Sequence, residues 1–175
     1  MNTISSSIRP IAFVYFILAI SIAIPILSVL YAVSIYYIPV AIVRPLMPLL
    51  FAALAGGIIE RYVIAWSKLD NVRLIFLFCL VAGIVLYILS WPVWLSLVNE
   101  RGSFSVSGII DMIADPYSTF DYILKINQRG AWSFSGMTVS GIALSIIWLL
   151  ELIIICGVPL LVLKTRGKLK AANNF

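Results

Sequence analysis

Glu151 is the only charged residue between Arg129 and Lys164, set in the run Trp148-Leu149-Leu150-Glu151-Leu152-Ile153-Ile154. Ionised at the centre of a bilayer, such a carboxylate costs at least about 3 kcal/mol on insertion scales, so it is expected to be protonated or paired. Two kinds of chemistry fit. A neutral acid can hydrogen-bond a hydroxyl, or carbonyls freed by a proline, and hold helices together. A titrating carboxyl can bind a cation or pass a proton. Ser21 and Ser28, on either side of Pro25 in the first apolar run, are predicted at a similar depth and are the candidate partners.

A second constellation is Ile126-Asn127-Gln128-Arg129-Gly130-Ala131-Trp132-Ser133, which brings together amide, guanidinium and indole groups. Asn127, Arg129 and Trp132 are its candidate binding residues for a carboxylate or a lipid headgroup, with Arg129 offering a bidentate fork. The competing and preferred reading is a turn back into the membrane with Trp132 held at the interface. Asp111, Asp115 and Asp121 could serve as acid or base in lipid chemistry. The chain contains no histidine, which removes His-ligated haem, His-containing zinc sites and Ser-His catalytic pairs. Cys79 and Cys156 lie within apolar runs without a Cys-x-x-Cys spacing, so no metal and no cofactor is expected.

The elements that must position these groups follow from hydropathy. Of 175 residues 63% are hydrophobic and 11% charged, whereas soluble domains are roughly 45–50% apolar. A water-soluble core of this length cannot hide that surface. Apolar runs predict four membrane spans, at about 11–37, 46–66, 74–98 and 139–163, with a loop over 99–138, all within a single transmembrane domain, 1–175. The first run is longer than a bilayer requires, and Pro25 is expected to kink it. The second is the least secure, because it meets Glu60 and Arg61 before it ends. Trp91 and Trp94 are expected to mark the water–lipid boundary at the end of the third. The fold class is therefore all-α: a polytopic four-helix transmembrane bundle whose external loop carries short helices.

That loop is serine-rich and holds Glu100, Asp111, Asp115 and Asp121, four of the seven acidic residues. A short helix is predicted over 107–114, and Asp115-Pro116 reads as a cap followed by proline at the first helical position. The helix after it carries Phe120, Ile123 and Leu124 on one face, expected to pack on the ends of the spans or to lie along the membrane surface. With four spans, Arg9, Arg61, Lys68, Arg73 and the tail residues Lys164, Arg166, Lys168 and Lys170 share one side, against Arg44, Arg101, Lys125 and Arg129. The positive-inside rule then puts both termini in the cytoplasm of a bacterial inner membrane.

Small residues recur at four-residue spacing: Ala52 and Gly56, Ala53 and Gly57, Gly141 and Ser145. They are predicted to let helices approach closely. Basic residues sit at the ends of apolar runs, without the aromatic interleaving of a nucleic-acid surface, so the expected partners are membrane lipids and another membrane protein or a second copy.

Asn127, Gly130-Ala131-Trp132-Ser133, Gly136, Val139-Ser140-Gly141 and the spacing from Trp148 to Glu151 resemble a family of small bacterial four-span inner-membrane proteins that has no assigned activity. Ala131 departs from its pattern, which has threonine there. The resemblance covers the last third of the chain and implies the layout, not a mechanism. By exclusion, the leading expectation is an accessory or scaffold component. The alternatives are a small transporter or channel that uses Glu151 and a lipid-modifying enzyme.

Overall fold

The computed structural model describes residues 10–38, 46–129, 132–134 and 137–165. It forms α1 (Pro10–Tyr37), α2 (Leu46–Ala65), α3 (Val72–Asn99), α4 (Val106–Ala114), α5 (Pro116–Arg129), a two-stranded ribbon of β1 (Trp132–Phe134) and β2 (Met137–Val139), and α6 (Gly141–Thr165). Four of these helices, α1, α2, α3 and α6, are long and apolar enough to cross a membrane. The chain is thus a multi-pass helical bundle, as hydropathy predicts. Arg9, Arg44, Gly130, Ala131, Gly136, Arg166, Lys168 and Lys170, which enter the sequence reading, lie outside the described residues.

One boundary differs from expectation for a local reason. Val139 does not open the fourth span: it pairs with Trp132 in an antiparallel register that ends at Phe134 and Met137. The helix starts at Gly141 (φ +61), a left-handed backbone position that glycine adopts without strain. The second span, predicted over 46–66, runs to Ala65 and passes Glu60 and Arg61 through a π-helical stretch, Ile59–Ala65, with Glu60 buried and Arg61 exposed. A widened turn of this kind also precedes Pro25. The π turn Ala19–Ala23 ends two residues before it, so α1 meets the missing N–H through a local expansion rather than a break.

α1, α3 and α6 each bury a narrow face and leave much of the rest apolar and exposed, while half of α2 is buried. α1 packs on α3, α3 on α6, α6 on α2 and α2 back on α1. The shared core holds Ile24, Leu27 and Tyr31, then Phe51, Ala52 and Ala55, then Phe78, Cys79, Ala82 and Leu86, and Ile155 of α6. Ile17, Ile26, Ile88, Ile153 and Leu161 point outward, each more than half exposed. In water each such side chain would forgo roughly 1.5–3 kcal/mol of burial, which identifies hydrocarbon as the solvent of these faces.

Two glycines fix how closely α6 lies against its neighbours. A Cβ on Gly56 would sit 2.9 Å from Pro159 Cα, and one on Gly83 would sit 2.9 Å from the Ile155 carbonyl oxygen and 3.0 Å from Cys156 Cα. Of the predicted small-residue pairs, Ala52 and Gly56 form a buried contact face, whereas Ala53 and Gly57 are half-exposed and a Cβ on Gly57 would meet nothing within 4 Å. Gly141 also faces open space, and Ser145 serves as a hydrogen-bonding residue instead.

Polar side chains cap the elements at the loop end. Ser105 precedes α4 and its hydroxyl accepts from Gly108 N (3.1 Å), as a helix cap should. Asp115 precedes α5 and accepts from Ser118 N (3.1 Å) and from the Ser118 hydroxyl (2.6 Å). Together these bonds favour the ionised form and hold its carboxyl below the usual carboxylate range. The Tyr37 hydroxyl donates to Gly102 O (2.6 Å) and that of Tyr122 to Asn99 Oδ1 (2.6 Å), fastening α1 and α5 to the end of α3. Much of the apolar surface of α4 and α5 stays uncovered: Ile109 packs on Ala32, Val93 and Leu97, but α4 fully buries no residue, α5 buries only Asn127, and Val106, Ile110, Ile113 and Phe120 are exposed. Packing on the ends of the spans, one of the two roles expected of α5, is therefore carried by Tyr122 on Asn99 and by Asn127 on Ser145.

Candidate functional site

The helical repeat aligns Tyr87, Trp91 and Trp94 on one face of α3, at i, i+4 and i+7, and places Trp148 one turn before Glu151 on α6. Tyr31 and Ile35, a turn apart on α1, face the same space. Together with Ser90 these residues line a cavity of about 40 Å³ between the three spans. Trp94 stands little more than a turn from the loop-side end of α3 at Asn99, and Glu151 roughly three turns into α6 from Gly141. The cavity therefore occupies the loop-side half of the bundle.

Trp91 is the hub of the aromatic wall. Its ring centroid lies 4.8 Å from that of Trp148. The centroid of Trp94 is 5.8 Å away. That of Tyr87 is 6.0 Å away. All three contacts are edge-to-face, the arrangement that ring quadrupoles favour. The Tyr87 hydroxyl donates to Trp148 O across the α3–α6 interface (3.0 Å), and the Ser90 hydroxyl donates to Tyr87 O (2.7 Å). Both protons are thereby committed, and the hydroxyl oxygens retain acceptor capacity. Tyr31, only 3% exposed, carries a buried hydroxyl with no hydrogen-bond partner among the described residues. A buried phenol in that state is rare, because losing its water without a replacement costs about 1–3 kcal/mol. Glu151 is the one carboxylic acid in the lining, and no lysine or arginine among the described residues lines the cavity.

The partners expected of Glu151 are elsewhere. Ser21 is exposed on the outer face of α1, and Ser28, although buried, donates to its own helix at Ile24 O (2.9 Å). One helical turn separates Ser28 from Tyr31 and Ala32, so the expectation names the right helix and the wrong turn of it. α3 runs past Trp91 and Trp94 to Asn99, within a residue of the predicted limit, and both rings turn into the bundle to wall the cavity. The signal for this is the spacing of Tyr87, Trp91 and Trp94, which repeats on a single face.

The second predicted constellation is divided by the fold. Asn127 is buried and its amide donates to the Ser145 hydroxyl (2.8 Å), tying α5 to α6, while Arg129 is exposed in the last turn of α5 and Trp132 opens β1. Asp111 and Asp115 line a wider hollow of about 440 Å³ between α4, α5 and Asn99, and Asp121 pairs instead with Lys125 (2.5 Å). Glu60, which enters the sequence reading only as an interruption, is a buried carboxyl in the last turns of α2.

Comparison of the chain with protein-family models, curated proteins and solved structures gives no match.

Proposed function

We propose that this chain is a small membrane transporter or channel in which Glu151 carries a cation, or exchanges one for a proton, across the outward half of the bundle. The observation that supports this reading is the Glu151 cavity itself: an acidic side chain between three spans, walled by rings and hydroxyl acceptors, with a buried Tyr31 hydroxyl that has no hydrogen-bond partner among the described residues. A carboxyl that served only to join helices would need no space around it. Purified protein in vesicles with an inside-acid gradient should take up labelled sodium, rubidium or methylammonium faster than protein-free vesicles, which also correct for passive amine movement. Glu151→Gln should bring that uptake to the protein-free rate, a loss of about tenfold or more, in a chain that still inserts and melts normally. Uptake unchanged by the substitution sinks the reading.

A second reading, an accessory component that contacts another membrane protein or the lipid surface, is favoured by the uncovered apolar faces of α4 and α5. It makes the opposite prediction, that Glu151→Gln leaves function intact.

The setting we propose is a bacterial inner membrane with both termini cytoplasmic, which puts α4, α5 and the mouth of the cavity outside. The support is the excess of lysine and arginine on the terminal side, eight to four. Reporters fused to the two ends should both be active only in the cytoplasm; opposite behaviour of the two would overturn the orientation and with it the direction of access.

A further inference from the structure

Resting on the cation-site reading above, we infer that the cavity bounded by Tyr31, Tyr87, Trp91, Trp94, Trp148 and Glu151 is a cage for a primary ammonium group, carried either by a small free amine or by an aminophospholipid headgroup. The cavity's oxygen acceptors, its rings and its single acid suit such a group. The oxygens of Glu151, Tyr31, Tyr87 and Ser90 can all accept, and the indole and phenol rings beside them are electron-rich on their faces. Because Tyr87 and Ser90 donate their protons to backbone carbonyls, their oxygens are left to accept. The Tyr31 oxygen lacks any hydrogen-bond partner among the described residues.

An ammonium group brings three N–H donors in a compact, positively charged head. One N–H can reach Glu151 and a second the Tyr31 oxygen, leaving the third for Tyr87 or Ser90. The indoles Trp91, Trp94 and Trp148 present the residue type that binds cations best through its ring face. The alternatives fit less well. Calcium requires about six to eight oxygen ligands and magnesium a near-octahedral set. A single carboxyl with three hydroxyls amid rings supplies neither, and no group of three or more acidic, cysteine or histidine side chains able to hold a metal occurs among the described residues. At about 40 Å³ the space has room for a compact –NH₃⁺ head, since about 10–15 Å³ already holds a water molecule.

The test uses the full chain in detergent at pH 7, following its own fluorescence, since three of its five tryptophans line the cage and Trp66 does not. Methylammonium chloride is titrated against sodium, potassium, magnesium and tetramethylammonium chlorides at equal ionic strength. The expected result is a saturable change with methylammonium at a concentration at least about tenfold lower than for any other ion. It should persist in Trp66→Phe and weaken about tenfold in Tyr31→Phe. Equal or better responses to potassium or magnesium overturn the ammonium assignment. If they also vanish in Glu151→Gln, the cation-site reading survives without it; if no ion gives a response and Glu151→Gln transports like the parent, both fall. Because the ion series is run on the unaltered protein, poor folding of a variant does not rescue the proposal. Nanodiscs separate the two sources: a methylammonium response present in phosphatidylglycerol–phosphatidylcholine discs and suppressed by phosphatidylethanolamine assigns the cage to the headgroup, and an equal response in both assigns it to a free amine.

Discussion

Gly83→Val should unfold more readily than the parent by about 1–3 kcal/mol, the range found when atoms are forced into a packed interior, and should lose the Glu151-dependent activity at temperatures where it is still folded. The hypothetical Cβ of Gly83 lies 2.9 Å from the Ile155 carbonyl and 3.0 Å from Cys156 Cα, so the obstacle is backbone, which cannot rotate aside. The helices must separate. The consequence reaches the cavity because Tyr87 follows Gly83 by one turn on α3 and Glu151 precedes Ile155 by one turn on α6. Widening the crossing at Gly83 pulls the Tyr87 hydroxyl from Trp148 O and parts Trp91 from Trp148. Gly57→Ala is the matched control. Nothing lies within 4 Å of its Cβ, and alanine is the better helix former by up to about 1 kcal/mol. Thermal unfolding in a single detergent, followed by tryptophan fluorescence, measures both. If Gly83→Val melts like the parent while Gly57→Ala does not, the assignment of the close crossing to Gly83 is wrong.

The same contrast separates what hydropathy can reveal from what it cannot. Four runs of apolar residues can only be four spans once lipid is the solvent, and they are found within two or three residues of their predicted limits. Asp115-Pro116 is legible because capping is decided by neighbours in sequence: a carboxylate, a proline without an N–H, and a serine three residues on. Gly83 is not, since a small residue is as common on a lipid face as at a crossing, and the difference depends on where Ile155 arrives from the other end of the chain. The same holds for Trp91 and Trp94. Their amphipathic rings suit a headgroup boundary, and that they also wall a cavity beside Glu151 depends on the approach of Trp148. Glu151 is conspicuous by type, but the sequence reading misplaces its surroundings by a turn, at Ser28 instead of Tyr31, because depth in a bilayer is the sole coordinate available to compare two helices. The ribbon at 132–139 gives no warning, as three-residue strands carry too little pattern to be told from a turn.

Glu151→Leu is the substitution whose sign separates a structural acid from a functional one. Leucine removes the carboxyl and refills its volume with hydrocarbon. If the carboxyl were interhelical glue, its loss would weaken the bundle by the roughly 0.6–2 kcal/mol that such hydrogen bonds contribute in membranes. If it is held in place for binding, the protein carries a polar group at a cost, as functional sites commonly do, and relief of that cost should stabilise the chain by about 1–3 kcal/mol. The geometry favours the second outcome. Glu151 borders a cavity rather than a sealed contact, it is partly exposed, and the α3–α6 crossing beside it is already fastened by the Tyr87–Trp148 hydrogen bond and by the Gly83 approach. Glu151→Leu should therefore melt higher than the parent, reach the membrane in equal or greater amount, and show no methylammonium-induced change in fluorescence. A melting point lowered by more than the equivalent of about 1 kcal/mol would return Glu151 to the role of helix adhesive, whatever becomes of the fluorescence.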